Sequence, residues 1–292
     1  MDIAAAQLPP PGGIVLDHIA HFVPDLAAAR AALEALGFTV TPESAHRTQH
    51  GPAGSSNVCV MFERGYLEIL APTLDTPNAR EIRAEMARYA GVHLGCLGTP
   101  DAEGEQRRLQ AHGFEPPELV NLSRPFEGST VRFSVVRAAK DRMPEGRIQF
   151  VQHHTPEAIW RPQYWNHPNS AVKLACLFVA ADDPVAAAAR WAHFAALLPR
   201  PAGAYVHLAT ARGSVLVGRR EDWAALLGDA PAPPALAGYA LECRDSGALA
   251  ARCELLGLPL RRLRTDLYAA AQPEALGGSL IFGTRKGLGL PT

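Results

Sequence analysis

The spacing of four aspartates constrains this chain more than any other feature. Residues 14–25 read IVLDHIAHFVPD, an apolar stretch of strand length closed by a Pro-Asp turn signal. Eleven residues of helical composition follow before Gly37-Phe38. The same grammar returns in VHLGCLGTPD, which ends at Asp101 and reaches Gly113-Phe114 after another eleven residues. GYALECRD ends at Asp245 and meets Gly257-Leu258 at the same distance. In KLACLFVAADDP the strand and the Asp183-Pro184 helix start recur, without a glycine at the expected distance. An aspartate before a helix accepts hydrogen bonds from its unpaired first N–H groups, and a glycine after it adopts the left-handed conformation that ends it. An internal period of this kind marks a repeated supersecondary unit.

After each helical stretch the chain has room for three short strands. The last of them read YLEIL at 66–70, RIQFVQH at 147–153, SVLVGR at 214–219 and SLIFGT at 279–284. Each unit is therefore β-α-β-β-β. Such a unit has a one-sided sheet with an exposed apolar face, so units must pair. The expected fold is α+β, with four βαβββ modules paired into two curved-sheet domains. Modules one and two would occupy 14–155 and modules three and four 170–285. Residues 156–169 would join them, and 1–13 would form a flexible N-terminus. The Pro- and aromatic-rich stretch PEAIWRPQYWNHP, 156–168, can serve as this joint or pack as an ordered strap.

Composition narrows the partners. With 28 Lys and Arg against 29 Asp and Glu, the chain lacks the basic excess that phosphate neutralisation requires, so nucleic acid is not expected. The five cysteines are scattered with no C-x-x-C pair, which argues against a disulfide framework or a structural zinc site. No basic leader opens the chain and no run of about eighteen apolar residues occurs, so the expectation is a cytoplasmic protein without a membrane partner. No G-x-G-x-x-G, P-loop, G-x-S-x-G or H-E-x-x-H pattern supports nucleotide binding, serine hydrolysis or zinc proteolysis. A small molecule remains as the ligand, and the fold leaves room for a homodimer.

The entry LDHIAHFVPDL, the Gly-Phe at 37–38 and GYLEILAP at 65–72 resemble the glyoxalase-like branch of the vicinal-oxygen-chelate superfamily, most clearly over 14–155. The resemblance implies a U-shaped sheet whose concave face often holds a divalent metal, bound by His on first strands and Glu or His on last strands. On that basis His18, seven residues before Asp25, and Glu68, on the last strand of the first module, are candidate ligands for Zn, Fe, Mn, Co or Ni. A carboxylate among Tyr66, Leu67, Ile69 and Leu70 also needs a cation or donors to be buried. The second module departs from the pattern: Leu94 stands seven residues before Asp101, and the histidine is one step earlier, at His93. Gln152 aligns with Glu68 as the fourth candidate, with His153 and His154 beside it. Cys176 and Gly238 occupy the first-ligand positions of the last two modules, so a metal is not expected in that half.

Substrate contacts are expected from His46, His50 and Asn57 in the loop 43–57, and from Arg124 and Arg132, because an arginine on an otherwise apolar strand needs an anionic partner. That partner could be Glu68 itself, as a structural pair. The leading functional expectation is a glyoxalase-like, metal-dependent lyase, isomerase or dioxygenase acting on a small oxygen-rich substrate, with Glu68 as base or ligand. The alternative is a metal-free binding or sequestering protein of the bleomycin-resistance type, with no cofactor. An extradiol dioxygenase would place iron in the C-terminal half, which lacks the His, His and Glu it needs.

Overall fold

The computed structural model describes residues 4–289. A short 3-10 turn at Ala5–Gln7 precedes β1 (Val15–Phe22), α1 (Leu26–Ala35), β2 (Ser44–Thr48), β3 (Gly51–Met61) and β4 (Tyr66–Pro72). Helix α2 (Pro77–Met86) leads to β5 (Val92–Gly98), α3 (Ala102–Ala111), β6 (Val120–Phe126), β7 (Ser129–Arg137) and β8 (Arg147–His153). The second half begins with β9 (Ala171–Ala180), α4 (Pro184–Ala195), β10 (Pro199–Ala202), β11 (Tyr205–Ala209) and β12 (Ser214–Gly218). Helix α5 (Arg220–Leu227) then precedes β13 (Ala235–Cys243), α6 (Ser246–Leu255), β14 (Leu260–Arg264), β15 (Leu267–Ala271), β16 (Ser279–Gly283) and α7 (Arg285–Leu288).

The aspartates do the capping their positions suggest. Asp25 accepts from the N–H groups of Ala27 and Ala28, Asp101 from Gly104, Asp183 from Val185 and Ala186, and Asp245 from Gly247. Gly37 and Gly113 follow their helices at φ +79° and +76°. Where the glycine is missing, α4 ends at Ala196, which takes the left-handed conformation at φ 52° despite its methyl group.

The strands form two eight-stranded sheets. The first closes into a barrel in the order β1-β4-β3-β2-β6-β7-β8-β5, and the second stays open in the order β10-β11-β12-β9-β13-β16-β15-β14. The U-shape implied by resemblance is thus exceeded in the first half. The closing seam is β2 against β6, paired through Arg47 with Ser123 and Thr48 with Leu122. One hydrophobic cluster runs through both halves: Leu16, Ile19, Leu97 and Phe150 of the barrel pack with Leu177, Trp191, Tyr239 and Phe282. Burying each such side chain contributes roughly 1.5–3 kcal/mol, so the two sheets are held by a shared core.

The joint takes one of its two expected forms, and the N-terminal stretch departs from the expected one. Residues 156–169 are an ordered strap: Ile159, Trp160 and Tyr164 are buried with Cys59, Met61, Tyr66 and Phe126 and close one end of the barrel. Within 4–13, Gln7 is buried, its amide donating to the Glu63 carbonyl at 2.6 Å and its side-chain oxygen accepting from Gly65 at 3.0 Å, so this stretch is anchored rather than free. Residues 1–3 lie outside the described residues. All five cysteines are free and buried. No helix among the described residues is long and apolar enough to cross a membrane.

Candidate functional site

First and last strands of each half-barrel lie side by side and parallel, which fixes what faces the interior. Ala20 pairs with Glu68 and His18 with Tyr66; in the second half of the barrel Cys96 pairs with Gln149 and Leu94 with Arg147. Ala20 and Cys96 each stand five residues before a capping aspartate. Gln149 is therefore the counterpart of Glu68, and the expectation for Gln152 is corrected by three residues. Gln152 instead secures the start of α3, accepting from Ala102 N–H at 3.0 Å and donating to the Pro100 carbonyl at 2.8 Å. His93 points away from the interior, as strand alternation requires, with Nε2 2.8 Å from the Tyr89 carbonyl and its ring stacked on Phe22 and Tyr89.

The barrel encloses a cavity of about 200 Å³ lined by His18, His46, Asn57, Glu68, Arg124, Arg137, Arg147, Gln149 and His153 among others. A bulge in β1 between Leu16 and His18 brings two consecutive side chains into one network. Asp17 Oδ1 lies 2.7 Å from His18 Nδ1 and 3.1 Å from His153 Nε2. The far side of His18 faces Glu68, with Nε2 3.8 Å from Oε2, and its ring stacks on Tyr66 at 4.3 Å. Glu68 Oε1 accepts from Asn57 Nδ2 at 2.6 Å and lies 3.8 Å from His46 Nε2.

These contacts set the charges. Burial alone would lower the pKa of His18, but Cys96 and the hydrogen-bonded Asp17 raise it well above the usual imidazole value. Burial opposes ionisation of Asp17, yet His153 and His18 hold it below the carboxylate range. Burial would likewise raise Glu68, and His46, His18, the Asn57 amide and Arg124 bring it below its ordinary value. His46 is itself pushed down to about 4 by burial, so its charge acts on Glu68 only in acid; at neutral pH its ring is uncharged and His18, the Asn57 amide and Arg124 hold Glu68 ionised. The cavity thus holds an imidazolium and a carboxylate within 3.8 Å.

Three arginines surround them. Arg124, on β6, is 3% exposed; its Nε and Nη1 have no hydrogen-bond partner, and its guanidinium lies over the Phe126 ring. Arg137 donates from Nε to Gln149 Oε1 at 3.0 Å. Arg147 donates to Asn78 at 2.9 Å and Glu81 at 3.1 Å; burial pushes it down to about 9, which still leaves it charged at neutral pH. The other expected contacts fall outside. Arg132 is exposed on the outer face of β7 and does not pair with Glu68, His50 is exposed beside Glu118 at 3.4 Å, and His154 bonds Ser134 Oγ at 2.8 Å away from the cavity. Sequence reasoning misses Asp17, Gln149, Arg137 and Arg147. The two arginines obey the rule that selects Arg132, a charge on an otherwise apolar strand, and only register separates the three.

Two eight-stranded sheets built from β-α-β-β-β stretches, one of them wrapped around a polar cavity, define the class. The family model described as a glyoxalase-like domain matches residues 16–195, and this chain belongs to that family, within the vicinal-oxygen-chelate superfamily. No curated protein matches. Solved structures share the fold at low identity. A hypothetical protein from Staphylococcus aureus is 13% identical with a TM-score of 0.65, over 93% of this chain and 99% of its own. The Mn(II)-bound glyoxalase from Novosphingobium aromaticivorans is 9% identical, with a TM-score of 0.56 over 92% of this chain and 81% of its own. A mutant 4-hydroxymandelate synthase from Streptomyces coelicolor is 13% identical, with a TM-score of 0.51 over 94% of each chain.

The donor set does not fit the metal that resemblance implies. Of the four positions in register, two carry His18 and Glu68, one carries Leu94, which has no donor, and one carries Gln149, whose carbonyl oxygen is engaged by Arg137. Among the described residues no three His, Cys, Asp or Glu side chains are grouped to enclose an ion. Three guanidinium groups around the cavity also oppose a dication.

Proposed function

We propose that the barrel cavity is a metal-independent site for a small, oxygen-rich anion such as a keto or hydroxy carboxylate. The observation that carries this reading is Arg124, a buried guanidinium with two unpartnered nitrogens lining the cavity. A buried donor without an acceptor costs about 1–3 kcal/mol, more when charged, and a ligand carboxylate removes that cost. Arg137 and Arg147 extend the positive field. Against them stands Glu68, kept ionised by His18 and Asn57. On a bound carbonyl compound Glu68 is positioned to accept a proton and His18 to donate one, with Asp17 orienting the His18 ring. This makes isomerase or lyase chemistry available, and without turnover the same cavity is a sequestering site. The reading takes residues 14–155 and 170–285 as two paired-module domains joined by 156–169, with four copies of one βαβββ module in all.

A second reading, a metal-dependent glyoxalase-like enzyme, is favoured by one arrangement: a carboxylate behind His18 Nδ1 and another ahead of its Nε2 is how metal-bound histidines are held. It requires a third protein donor, and His46 Nε2 is the nitrogen within 3.8 Å of Glu68. The experiment that separates the readings is metal analysis by mass spectrometry on protein purified without chelators, paired with calorimetric titration of small mono- and dicarboxylates. Binding that persists in metal-free protein and weakens about tenfold or more in Arg124→Gln supports the first reading. Binding that needs stoichiometric metal and ignores Arg124 overturns it.

A further inference from the structure

The concave face of the second sheet is only partly filled. Helices α5 and α7 cover the region of Phe178, Ala240 and Ile281, but a cavity of about 260 Å³ remains, lined by Lys173, His207, Arg212, Ser214, Glu242 and Arg285 among others. Its charge is unbalanced. Lys173 has Glu242 3.8 Å away, whereas neither Arg212 nor Arg285 has a carboxylate within 4.0 Å among the described residues. Asp17, the acid whose charge bears on Arg212, gives Oδ1 to two histidines and holds Oδ2 without a partner, but lies more than 4.0 Å from the Arg212 guanidinium.

The donors facing this space are also unsatisfied. His207, on β11, is 6% exposed, and its Nε2 has no hydrogen-bond partner. Arg212 uses Nη1 on the carbonyls of Ala6 and Gln7, both at 3.1 Å, while its Nε and Nη2 are buried without a partner. Ser214 stands on the adjacent strand β12, in register with Ala209 on β11 and with Cys176 on β9. Buried N–H groups of this kind are rarely left unpaired, and each specific exception needs an account. Structural ion pairing does not supply one for Arg212, because its unpaired nitrogens belong to a cation and the single acid in the cavity sits beside Lys173.

We propose that this cavity is a second binding site, for a small oxyanion such as a phosphate group or a carboxylate, separate from the barrel. Arg212, Arg285 and His207 hold the oxygens, and Ser214 adds a hydroxyl. The chemistry resembles that of the barrel cavity in charge but lacks its paired imidazolium and carboxylate, so the site binds without acid–base chemistry of its own. Its existence does not depend on what the barrel binds.

The test uses the full chain with histidine labelled by nitrogen-15, and follows the His207 ring by NMR while inorganic phosphate or acetate is added at fixed ionic strength. The expected result is a saturable His207 shift, weakened about tenfold by Arg285→Gln and by Arg212→Gln and unchanged by Arg124→Gln. Arg285 is exposed at the start of a short helix, so its variant keeps the fold even if loss of the Arg212 contacts to residues 6 and 7 disturbs the N-terminus. A stronger response to phosphate than to acetate, or the reverse, supports the site and assigns the oxyanion. A shift reproduced by chloride at equal ionic strength overturns the proposal, as does one that Arg124→Gln abolishes while Arg285→Gln leaves it intact. Failure of carboxylate binding in the barrel with the His207 response preserved counts against the barrel reading alone.

Discussion

The barrel and the open sheet use one strand arrangement to opposite ends, and the difference lies at four equivalent pairs. Ala20 with Glu68 and Cys96 with Gln149 face the barrel interior, whereas Phe178 with Leu216 and Ala240 with Ile281 hold the same places in the open sheet. Polar groups at these points leave a cavity that apolar side chains cannot fill without stranding a charge. Apolar groups there allow α5 to lie on the sheet, with Trp223 stacked on Phe178 at 4.6 Å, tilted against Tyr205 at 4.4 Å, and donating from Nε1 to the Val179 carbonyl at 2.8 Å. The backbone sets where a site can be, and a few side chains decide whether it is one.

The largest effect should come from breaking the filled side. Trp223→Ala is expected to cost about 3–5 kcal/mol, read as a shifted midpoint in denaturant unfolding, because it removes a fully buried ring and its hydrogen bond. A cost under about 1 kcal/mol would mean that α5 is not holding the second sheet.

Acid should act next, through buried histidines at the contacts between segments as well as through His46 in the cavity. His21 Nδ1 lies 3.0 Å from the Leu276 carbonyl, linking the barrel to the second sheet, and His167 lies between the Met61 carbonyl and the Thr39 N–H. Burial lowers both to about 4. Below the ordinary imidazole value of 6.5 the unfolded chain binds protons that these folded rings refuse, so stability is full above pH 6.5 and falls as the pH drops towards 4. The expected loss is on the order of a few kcal/mol, measured as denaturant midpoints across that range, and a flat profile would contradict it.

Glu68→Gln sharpens the comparison by removing charge while keeping volume. It should tighten binding of a small carboxylate in the barrel by up to about tenfold, roughly 1.4 kcal/mol, because a repulsive neighbour is gone. If the metal-dependent reading holds instead, the same variant loses metal binding, and calorimetry with Mn(II) shows it. The smallest effects belong to Arg132→Ala and His50→Ala, which should change stability and carboxylate affinity by less than about 0.5 kcal/mol, since both side chains are exposed.

Local chemistry is legible in the sequence wherever one residue decides one outcome. A capping aspartate and a left-handed glycine act within a single turn, so helix starts and ends follow from spacing. Side-chain facing is legible for His18 and Glu68, which the structure brings within 3.8 Å. It fails on β8, where aligning the last strands by sequence selects Gln152 and the pairing of Cys96 selects Gln149. One register step reverses the face of every side chain, and register is fixed by partners that a linear reading does not show. Asp17 is hidden for a related reason: alternation assigns it to the face opposite His18, and the β1 bulge cancels that. Closure of the barrel rests on two residue pairs between β2 and β6, too few for any pattern in sequence to announce.

The open sheet ends at β10 and β14, and exposed strand edges are where one chain can template onto another. β10 carries Pro199 and Pro201, two residues apart and facing the same way. Proline has no N–H to offer, so every second position along that rim is mute to an incoming strand. β14 carries Arg261, Arg262 and Arg264, which would set like charges against each other if two copies met edge to edge. A sheet that never closes is thereby kept from growing, and the protection against aggregation that the barrel gains from geometry is supplied here by composition.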